Sequence, residues 1–574
     1  MMKRIPMLCV ATAAAMALGA CISVPSETDP QAIRSFEQEQ PSSFEGPKEG
    51  EAPDLLLRDF YSANALAEQQ YRAAKSYMSK EKAESWAPRP DILVLDRIDV
   101  NSAPQDDEEP GRTYEVTGTI VGEVSKAGAY QPRKMPFRQN VRLEEIDGEW
   151  RIVDLPNQIM VERNAFRNHY TMRNVYFFDP SGSRLVADQR WIYNRTGSLD
   201  SALLSLLIEG PSEWLAPGVM DELPADATYA GRREGVYEFS GLTNLSSDAM
   251  RRLAASIVWT LGMAEIGGPY HLAFDGNPVR SRDTEDPDLT VDNFAEYNPQ
   301  ATGNSFDTAY ALLGGQLVNI NGGRINPVNK PIGEIDAIES ISISGKSDAV
   351  GVVRSFGQGD DRESELLIGT MNTPLESKLR ARTLTKPTFE PTASSLWTVI
   401  DGQKIARVAR SSDNGEIVQT EVDSESLGEH SDISVLQLSH AGSRVAIVMN
   451  GKVYVGVVAR PNVGERKVTN VIDLLPGFED TIISLDWQAD GTLLIGTANP
   501  EAPVWIAAPD GSSATPLPGA NLDAPVVSVT SNSSTIFATD ARATMQIPKD
   551  LQEANFWREV AGIEGVRAPV VVPN

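Results

Sequence analysis

Cysteine and histidine are nearly missing from this 574-residue chain, with two of the first and four of the second. Two cysteines exclude a disulfide-stapled scaffold and a cysteine-based zinc ribbon. The histidines (His169, His271, His430 and His440) are too scattered to pair by sequence and leave little material for metal chemistry. Basic residues are also few, 51 against 79 acidic ones, for a net charge of −28 at pH 7. Such a surface repels phosphate backbones, so no nucleic-acid partner is expected. No run of about 18 apolar residues follows the first twenty, which excludes a later membrane-crossing helix. The G-x-S-x-G and H-E-x-x-H motifs are absent too. What is present is 41% hydrophobic and 23% charged, the make-up of a soluble globular protein with room for three or four domains.

The first twenty residues read as an address. Lys3 and Arg4 form a short basic start, and residues 5–20 are almost wholly apolar or small. That run is too short to span a bilayer and fits a secretory signal peptide, residues 1–20. It ends in Leu18-Gly19-Ala20-Cys21, which resembles a bacterial lipobox. The resemblance implies cleavage between Ala20 and Cys21. It also implies an S-diacylglycerol and an N-acyl chain on Cys21, a palmitate-type anchor on the extracytoplasmic face of the cell membrane. Loss of Lys3 and Arg4 takes the charge to about −30, and Cys9 is discarded with them. Residues 21–50 then carry the lipidated cysteine and a tether rich in Ser, Pro, Glu and Gln, too polar to offset its ordering entropy. A coil of that length reaches roughly 30 Å.

Residues 51–162 are expected to form an α+β domain. Leu56, Phe60, Leu66, Tyr71, Ala74 and Met78 recur at roughly helical spacing, which predicts one helix over 53–86, ended by Pro88 and Pro90. Strands are predicted at 92–100, 113–124, 135–144 and 149–155, the last two joined by an Asp147-Gly148 turn. This layout resembles the nuclear-transport-factor-like (NTF2) and cystatin-like cones. Residues 163–280 form a second unit, with strands at 175–178 and 184–191. A helix over 199–209 is capped by Ser198 and stopped by Gly210-Pro211, and another follows a Ser247 cap. Tyr176-Phe177-Phe178, the run from Leu203 to Pro211, Leu223-Pro224 and the stretch from His271 to Gly276 resemble the GerMN domain of sporulation proteins. That resemblance implies partner binding and brings no catalytic residue. Residues 281–303 are acidic and read as a linker.

Residues 304–574 carry a repeat. Gly314-Gly315, Asp401-Gly402 and Asn450-Gly451 each sit between two strand-like runs, as type I′ hairpin turns require. Equivalent positions near 309, 350, 396, 445, 493 and 536 lie 41, 46, 49, 48 and 43 residues apart. That period is a β-propeller signature and predicts six blades, the stretch 568–572 closing the ring against the first. A stack of β-sandwiches is the competing reading.

Tempting motifs have plainer explanations. Ser79 and Lys82 fit S-x-x-K and Ser412-Asp413-Asn414 fits S-D-N, but K-T-G is missing and the two lie in different domains. Gly345-Lys346-Ser347 ends like a P-loop, yet the required first glycine falls at Ser340, so a turn is expected. Asp283, Glu285, Asp286, Asp288 and Asp292 cluster without an EF-hand pattern and read as solvated. Trp397, Trp487, Trp505 and Trp557 fall within or beside strands and read as packing. No catalytic, metal or cofactor site is expected.

A lipobox, an α+β domain, a GerMN domain and a propeller, in that order, resemble the actinobacterial LpqB lipoprotein family. The resemblance covers essentially the whole chain, and its specificity lies in the order. It implies a non-catalytic cell-surface lipoprotein that interacts with the extracytoplasmic domain of an MtrB-like sensor kinase. Through that two-component system it would influence cell division and envelope homeostasis. Only Cys21 carries a family role residue by residue. The alternative is a structural lipoprotein that binds cell-wall components or glycan.

Overall fold

In the computed structural model of the chain, which describes residues 46–104, 111–281, 286–300, 309–321, 323–329, 331–345, 347–357, 359–410, 415–428, 432–551 and 555–573, the predicted helix over 53–86 is three separate pieces. They are α1 (Pro53–Ala63), α2 (Arg72–Lys75) and α3 (Lys80–Ser85). Gln69, Gln70 and Tyr71 have φ of 47°, 57° and 61°, a left-handed run that no α-helix accommodates. Tertiary pairing overrides the periodicity. Tyr77 accepts from the Ile152 N–H at 3.0 Å, and Ser79 N donates back to Ile152 at 2.9 Å. Residues 77–79 are therefore an edge bridge, and Leu56, Leu57 and Phe60 of α1 are left to fill the core.

That core lies against a five-stranded sheet. Its strands are β1 (Ile92–Ser102), β2 (Arg112–Val124), β3 (Tyr130–Ile146), β4 (Glu149–Asp154) and β5 (Ile159–Glu162), in the order β4-β3-β2-β1-β5. The Asp147-Gly148 turn forms as expected, with φ of 54° and 83° and Ile146 opposite Glu149. β5 was not predicted; it runs parallel to β1. After α4 (Arg163–His169), β6 (Tyr170–Phe178) and β7 (Leu185–Tyr193) pair over their full length. This ribbon spans two cores. Tyr170, Trp191 and Tyr193 pack into the first domain, while Val175, Phe177, Leu185 and Val186 belong to the second.

The second domain places α5 (Leu199–Glu209) and α6 (Ser247–Met263) against β8 (Thr228–Arg233), β9 (Val236–Ser240), β10 (His271–Phe274) and β11 (Asn277–Pro278), ordered β11-β10-β9-β8. Gly210, at φ 101°, ends α5 where the Gly-Pro signal placed the stop. Two caps differ from expectation. The Ser198 hydroxyl turns to the Asp200 carboxylate rather than to the helix, and the cap of α6 is Ser246, which accepts from Ala249 N at 3.2 Å. α6 presents Leu253, Ile257, Val258 and Leu261 inward, as its spacing implies.

The acidic linker is also corrected in part. Residues 289–297 are folded onto α6: Leu289 and Phe294 are buried, and Trp259 Nε1 donates to the Phe294 carbonyl at 2.9 Å. Apolar residues spaced among the acids carry this short 3₁₀ segment (Val291–Tyr297).

From residue 309 onward the described chain forms six four-stranded antiparallel sheets in succession. In the first sheet Val570–Val571 pairs with Ala309–Leu313, so the last strand of this region is stitched to its first, Tyr310 opposite Val571. The hairpin glycines have a second task. Carbonyls of Gly315, Gly402 and Gly451 each accept the N–H of the residue opening the next sheet (Ile338, Ile433 and Ile482), all at 2.9 Å. Gly314-Gly315 and Asn450-Gly451 are two-residue turns, but the Asp401-Gly402 loop includes Gln403, since Ile400 faces Lys404. Trp397, Trp487 and Trp557 are buried, and their indoles donate to Glu390 and to the carbonyls of Gln437 and Pro518. Residues 49–574 form one compact unit.

Candidate functional site

The sequence-predicted positions are not brought together. Ala20, Cys21 and the tether through residue 45 lie outside the described residues, as do 411–414 with the S-D-N element, Lys346, Asp283, Glu285 and His430. Ser79 is the N-cap of α3, accepting from Lys82 N at 3.2 Å, and Lys82 reaches Asp154 at 3.3 Å. S-x-x-K here is a helix start. Gly345 and Ser347 flank a strand turn, the Ser347 hydroxyl donating to Ser344 at 3.2 Å. Asp288 meets His271 Nε2 at 2.6 Å on the surface. Among the described residues no group of three or more acidic, histidine or cysteine side chains is placed to hold a metal ion. Nor is any helix among them long and apolar enough to cross a membrane.

The most elaborate polar arrangement lies where the second domain meets the sheets of the C-terminal half. The turn Asp179-Pro180-Ser181-Gly182-Ser183-Arg184 builds one side. The buried Asp179 carboxylate accepts from the N–H groups of Ser181, Ser183 and Arg184 at 3.1, 3.0 and 2.9 Å, and Gly182 supplies φ 67°. The turn so fixed aims Arg184 across the junction. Its guanidinium donates to the carbonyls of His440 at 2.9 Å and Pro391 at 3.1 Å. Burial lowers the Arg184 pKa and the Asp179 charge opposes that shift.

A second arginine crosses in the other direction. Arg444 donates to the Ala187 carbonyl of β7 at 2.5 Å, and its guanidinium lies 5.5 Å from the Trp214 ring centre. Burial pulls its pKa down to about 10, still protonated at neutral pH. Trp214 Nε1 donates to the Asn470 carbonyl at 2.6 Å, and Asn470 Nδ2 returns the bond to Trp214 O at 2.7 Å. Gly218 lets the backbones close up: a Cβ there would meet Val457 Cγ1 at 2.6 Å and Ser443 O at 3.0 Å.

Glu390 underpins the C-terminal side. It is ion-paired with Arg407 and Arg466, both at 2.9 Å, and accepts from the Trp397 indole at 3.0 Å. Burial disfavours its charge, but the two arginines outweigh burial and hold its pKa near 2. Because Pro391 follows it directly, the same cluster fixes a carbonyl that Arg184 uses. Chemically this assembly offers a buried and a half-buried guanidinium bonded to carbonyls, which hold two domains in one orientation. Sequence reasoning missed all of it. Arg184, Trp214, Arg444 and Asn470 stand in no motif, and carbonyl acceptors leave no side-chain signature.

Comparison with known proteins follows the same three-part division. Residues 46–167 match the family model described as lipoprotein LpqB, N-terminal domain. Residues 174–280 match the sporulation and spore germination family, the GerMN domain, and residues 315–572 match the lipoprotein LpqB β-propeller domain. Among curated proteins the chain is 44% identical over 570 residues to "Lipoprotein LpqB" of Corynebacterium diphtheriae, covering 98% of both chains. It is 35% identical to the protein of that name from Corynebacterium jeikeium, covering 97% of this chain and 96% of the relative. The Rhodococcus jostii protein is 32% identical, with 98% and 97% covered. Solved structures align more weakly. A functionally unknown protein from Desulfotomaculum acetoxidans has a TM-score of 0.34 at 12% identity, covering 48% of this chain and 88% of that one. A chain of a nidogen/laminin complex reaches 0.35 at 9% identity, covering 46% and 98%. Likenesses at that level carry no argument. With relatives named lipoproteins along nearly its full length and a C-terminal β-propeller, the chain belongs to the LpqB lipoprotein family.

Proposed function

We propose that this lipoprotein is a non-catalytic accessory subunit of envelope signalling. It is anchored by Cys21 on the extracytoplasmic face and biases the conformation of an MtrB-like sensor kinase through that kinase's extracytoplasmic domain. Cell division and envelope homeostasis are the processes it would influence. In the same reading the six sheets are the six blades of the propeller. The first domain is an NTF2-like cone, and the boundaries fall at 51–162, 163–280 and 304–574.

The observation that carries this reading is full-length similarity to relatives named lipoproteins, joined to the lipobox at Leu18-Gly19-Ala20-Cys21. The junction of Arg184 and Arg444 supports it physically. A regulator must bind two states of its partner with different affinity, and a stiff multi-domain surface discriminates between shapes better than a jointed one. Crosslinking in intact cells with mass spectrometry of captured peptides tests the partner. Kinase ectodomain peptides joined to GerMN or propeller positions are expected; a kinase absent from the captured set, with phosphorylation unchanged in a deletion strain, overturns the reading. The anchor is tested separately. Cys21→Ala should abolish labelling by a fatty-acid analogue and release the protein from the membrane, and persistent labelling refutes the lipid assignment.

A further inference from the structure

A cavity of about 650 Å³ opens on the surface of the GerMN domain, away from the arginine junction. Its back wall is one face of α6. Ser247, Met250, Arg251 and Ala254 follow at i, i+3, i+4 and i+7, beside the face on which Leu253, Ile257 and Leu261 are buried. Position 254 is an alanine, and the room it leaves is the depth of the pocket. The other walls are Phe274 and Asp275 at the end of β10, β11 with Val279 and Arg280 after it, and Phe294 of the segment Val291–Tyr297.

The floor is apolar. Ala254, Phe274 and Phe294 are buried, with Met250 and Val279 half-buried around them. The mouth is polar, and Thr243, Ser247, Asp248, Asn277 and Arg280 are exposed there. Two of the charged groups are fixed parts of the wall. Arg251 is ion-paired with Glu296 and holds its guanidinium 5.2 Å from the Phe294 ring centre. Asp275 accepts from the Gly241 and Leu242 N–H groups at 2.7 and 2.9 Å, which pins the loop leading into α6. Asp248 is different: it is exposed, and Arg252, one turn along the helix, is held by Glu222 at 2.7 Å. Counting the acids on the Phe294 segment, Asp248, Asp275, Asp292 and Glu296 stand against Arg251 and Arg280.

We propose that this pocket receives a segment of a protein partner in which a large apolar side chain stands beside a lysine or arginine. The apolar chain reaches the floor, and the cation stays at the mouth near Asp248. Charge complementarity selects this occupant. An excess of carboxylates, on a chain of net charge −28, attracts a cation and repels phosphate, whether on a nucleic acid or on an anionic lipid surface. A bare cation gains nothing from a floor of phenylalanine and alanine, where losing its water is costly. An apolar side chain does gain, and anchors seated in pockets carry most of the energy of protein contacts. The exposed mouth suits a chain passing across it better than a small molecule, whose surface such sites enclose by roughly 70–90%. The chemistry is the same whichever protein supplies the segment, so the pocket and the kinase reading can fail separately.

The test titrates the full-length protein, in neutral detergent micelles and labelled at its methionine methyl carbons, with the capped tripeptide acetyl-Lys-Phe-Lys-amide. Met250 on the pocket wall is the reporter, its NMR signal identified by its loss in Met250→Leu. A saturable shift of that methyl is expected, and binding should weaken as salt rises. Acetyl-Glu-Phe-Glu-amide reverses the charge and acetyl-Lys-Ser-Lys-amide lacks the anchor; each should bind at least about tenfold more weakly. Asp248→Asn should weaken the first peptide about three- to fivefold. Thr243→Trp, on the exposed loop before α6, should close the mouth and abolish the shift, and it serves as the second variant if Asp248→Asn disturbs the helix start. No saturable shift at Met250, equal binding of either control peptide, or unchanged affinity in both variants would overturn the assignment.

Discussion

The two junctions that flank the GerMN domain are built differently. Toward the N-terminal domain the chain is continuous, and the ribbon β6–β7 runs through both cores. Phe166 lies 4.9 Å from Tyr170 and 4.7 Å from Trp191, ring centre to ring centre; one buried arginine, Arg190, donates to the Ala127 carbonyl at 2.9 Å, and on the rim Glu68 meets Tyr193 at 3.0 Å and Arg195 at 3.3 Å. Toward the propeller the partners lie some 250 residues apart in sequence, and the contacts are the buried Arg444, the half-buried Arg184, an indole and an amide, all bonded to backbone carbonyls. Aromatic packing along a shared ribbon tolerates the loss of any one polar contact. A junction of buried cations does not, because each donor removed strands an acceptor and each acceptor moved strands a charge.

This contrast ranks substitutions. Glu390→Gln leaves Arg407 and Arg466 without a counter-charge in a buried site and is expected to cost about 3–5 kcal/mol, read from urea or thermal unfolding. Arg444→Met keeps the side-chain volume but removes the bond to Ala187 O and the stacking on Trp214. About 2–3 kcal/mol should go, with faster hydrogen exchange at 185–190 while the first domain's sheet stays protected. Gly218→Ala forces a methyl group against Val457 and should cost about 1–3 kcal/mol by overpacking. Glu68→Ala, on the exposed rim of the other junction, should change stability by less than about 1 kcal/mol. If Glu68→Ala proves as damaging as Arg444→Met, the contrast between the junctions fails.

Acid should act on the propeller side. Glu390 is held near pKa 2 in the folded chain against about 4.5 unfolded, so its stabilisation is complete above about pH 4.5 and is lost as pH falls toward 2. Stability measured over that interval should drop more in the wild type than in Glu390→Gln, which has no carboxylate there to protonate. Equal slopes would show that the pairs with Arg407 and Arg466 do not carry the acid response.

Much of the fold was legible because turns and alternation are local. Gly314-Gly315 and Asn450-Gly451 announce positive φ at both central positions, and the period of their repetition follows from the sheets they connect. The helix over 53–86 was misread because its periodicity is real on either side of Gln69-Gln70-Tyr71, while the break depends on pairing with Ile152, some 75 residues away. The acidic stretch was misread for a related reason: Leu289 and Phe294 are buried, and charge counting gave the acids around them more weight. Least legible was the propeller junction. Arg184 and Arg444 look like any surface arginine in sequence, and their acceptors are peptide carbonyls that every residue owns.

The central claim is that the GerMN domain and the propeller are held as one body by the buried arginine contacts. Its most direct test is a pulsed electron-paramagnetic-resonance distance between spin labels introduced by Ser205→Cys on α5 and Glu421→Cys on an outer propeller strand, in a chain also carrying Cys9→Ser and Cys21→Ser. Both labelled positions are exposed. The account predicts one narrow distance population that broadens or splits in Arg444→Met and stays narrow in Glu68→Ala. A broad or multiple distribution in the otherwise unaltered chain would contradict it.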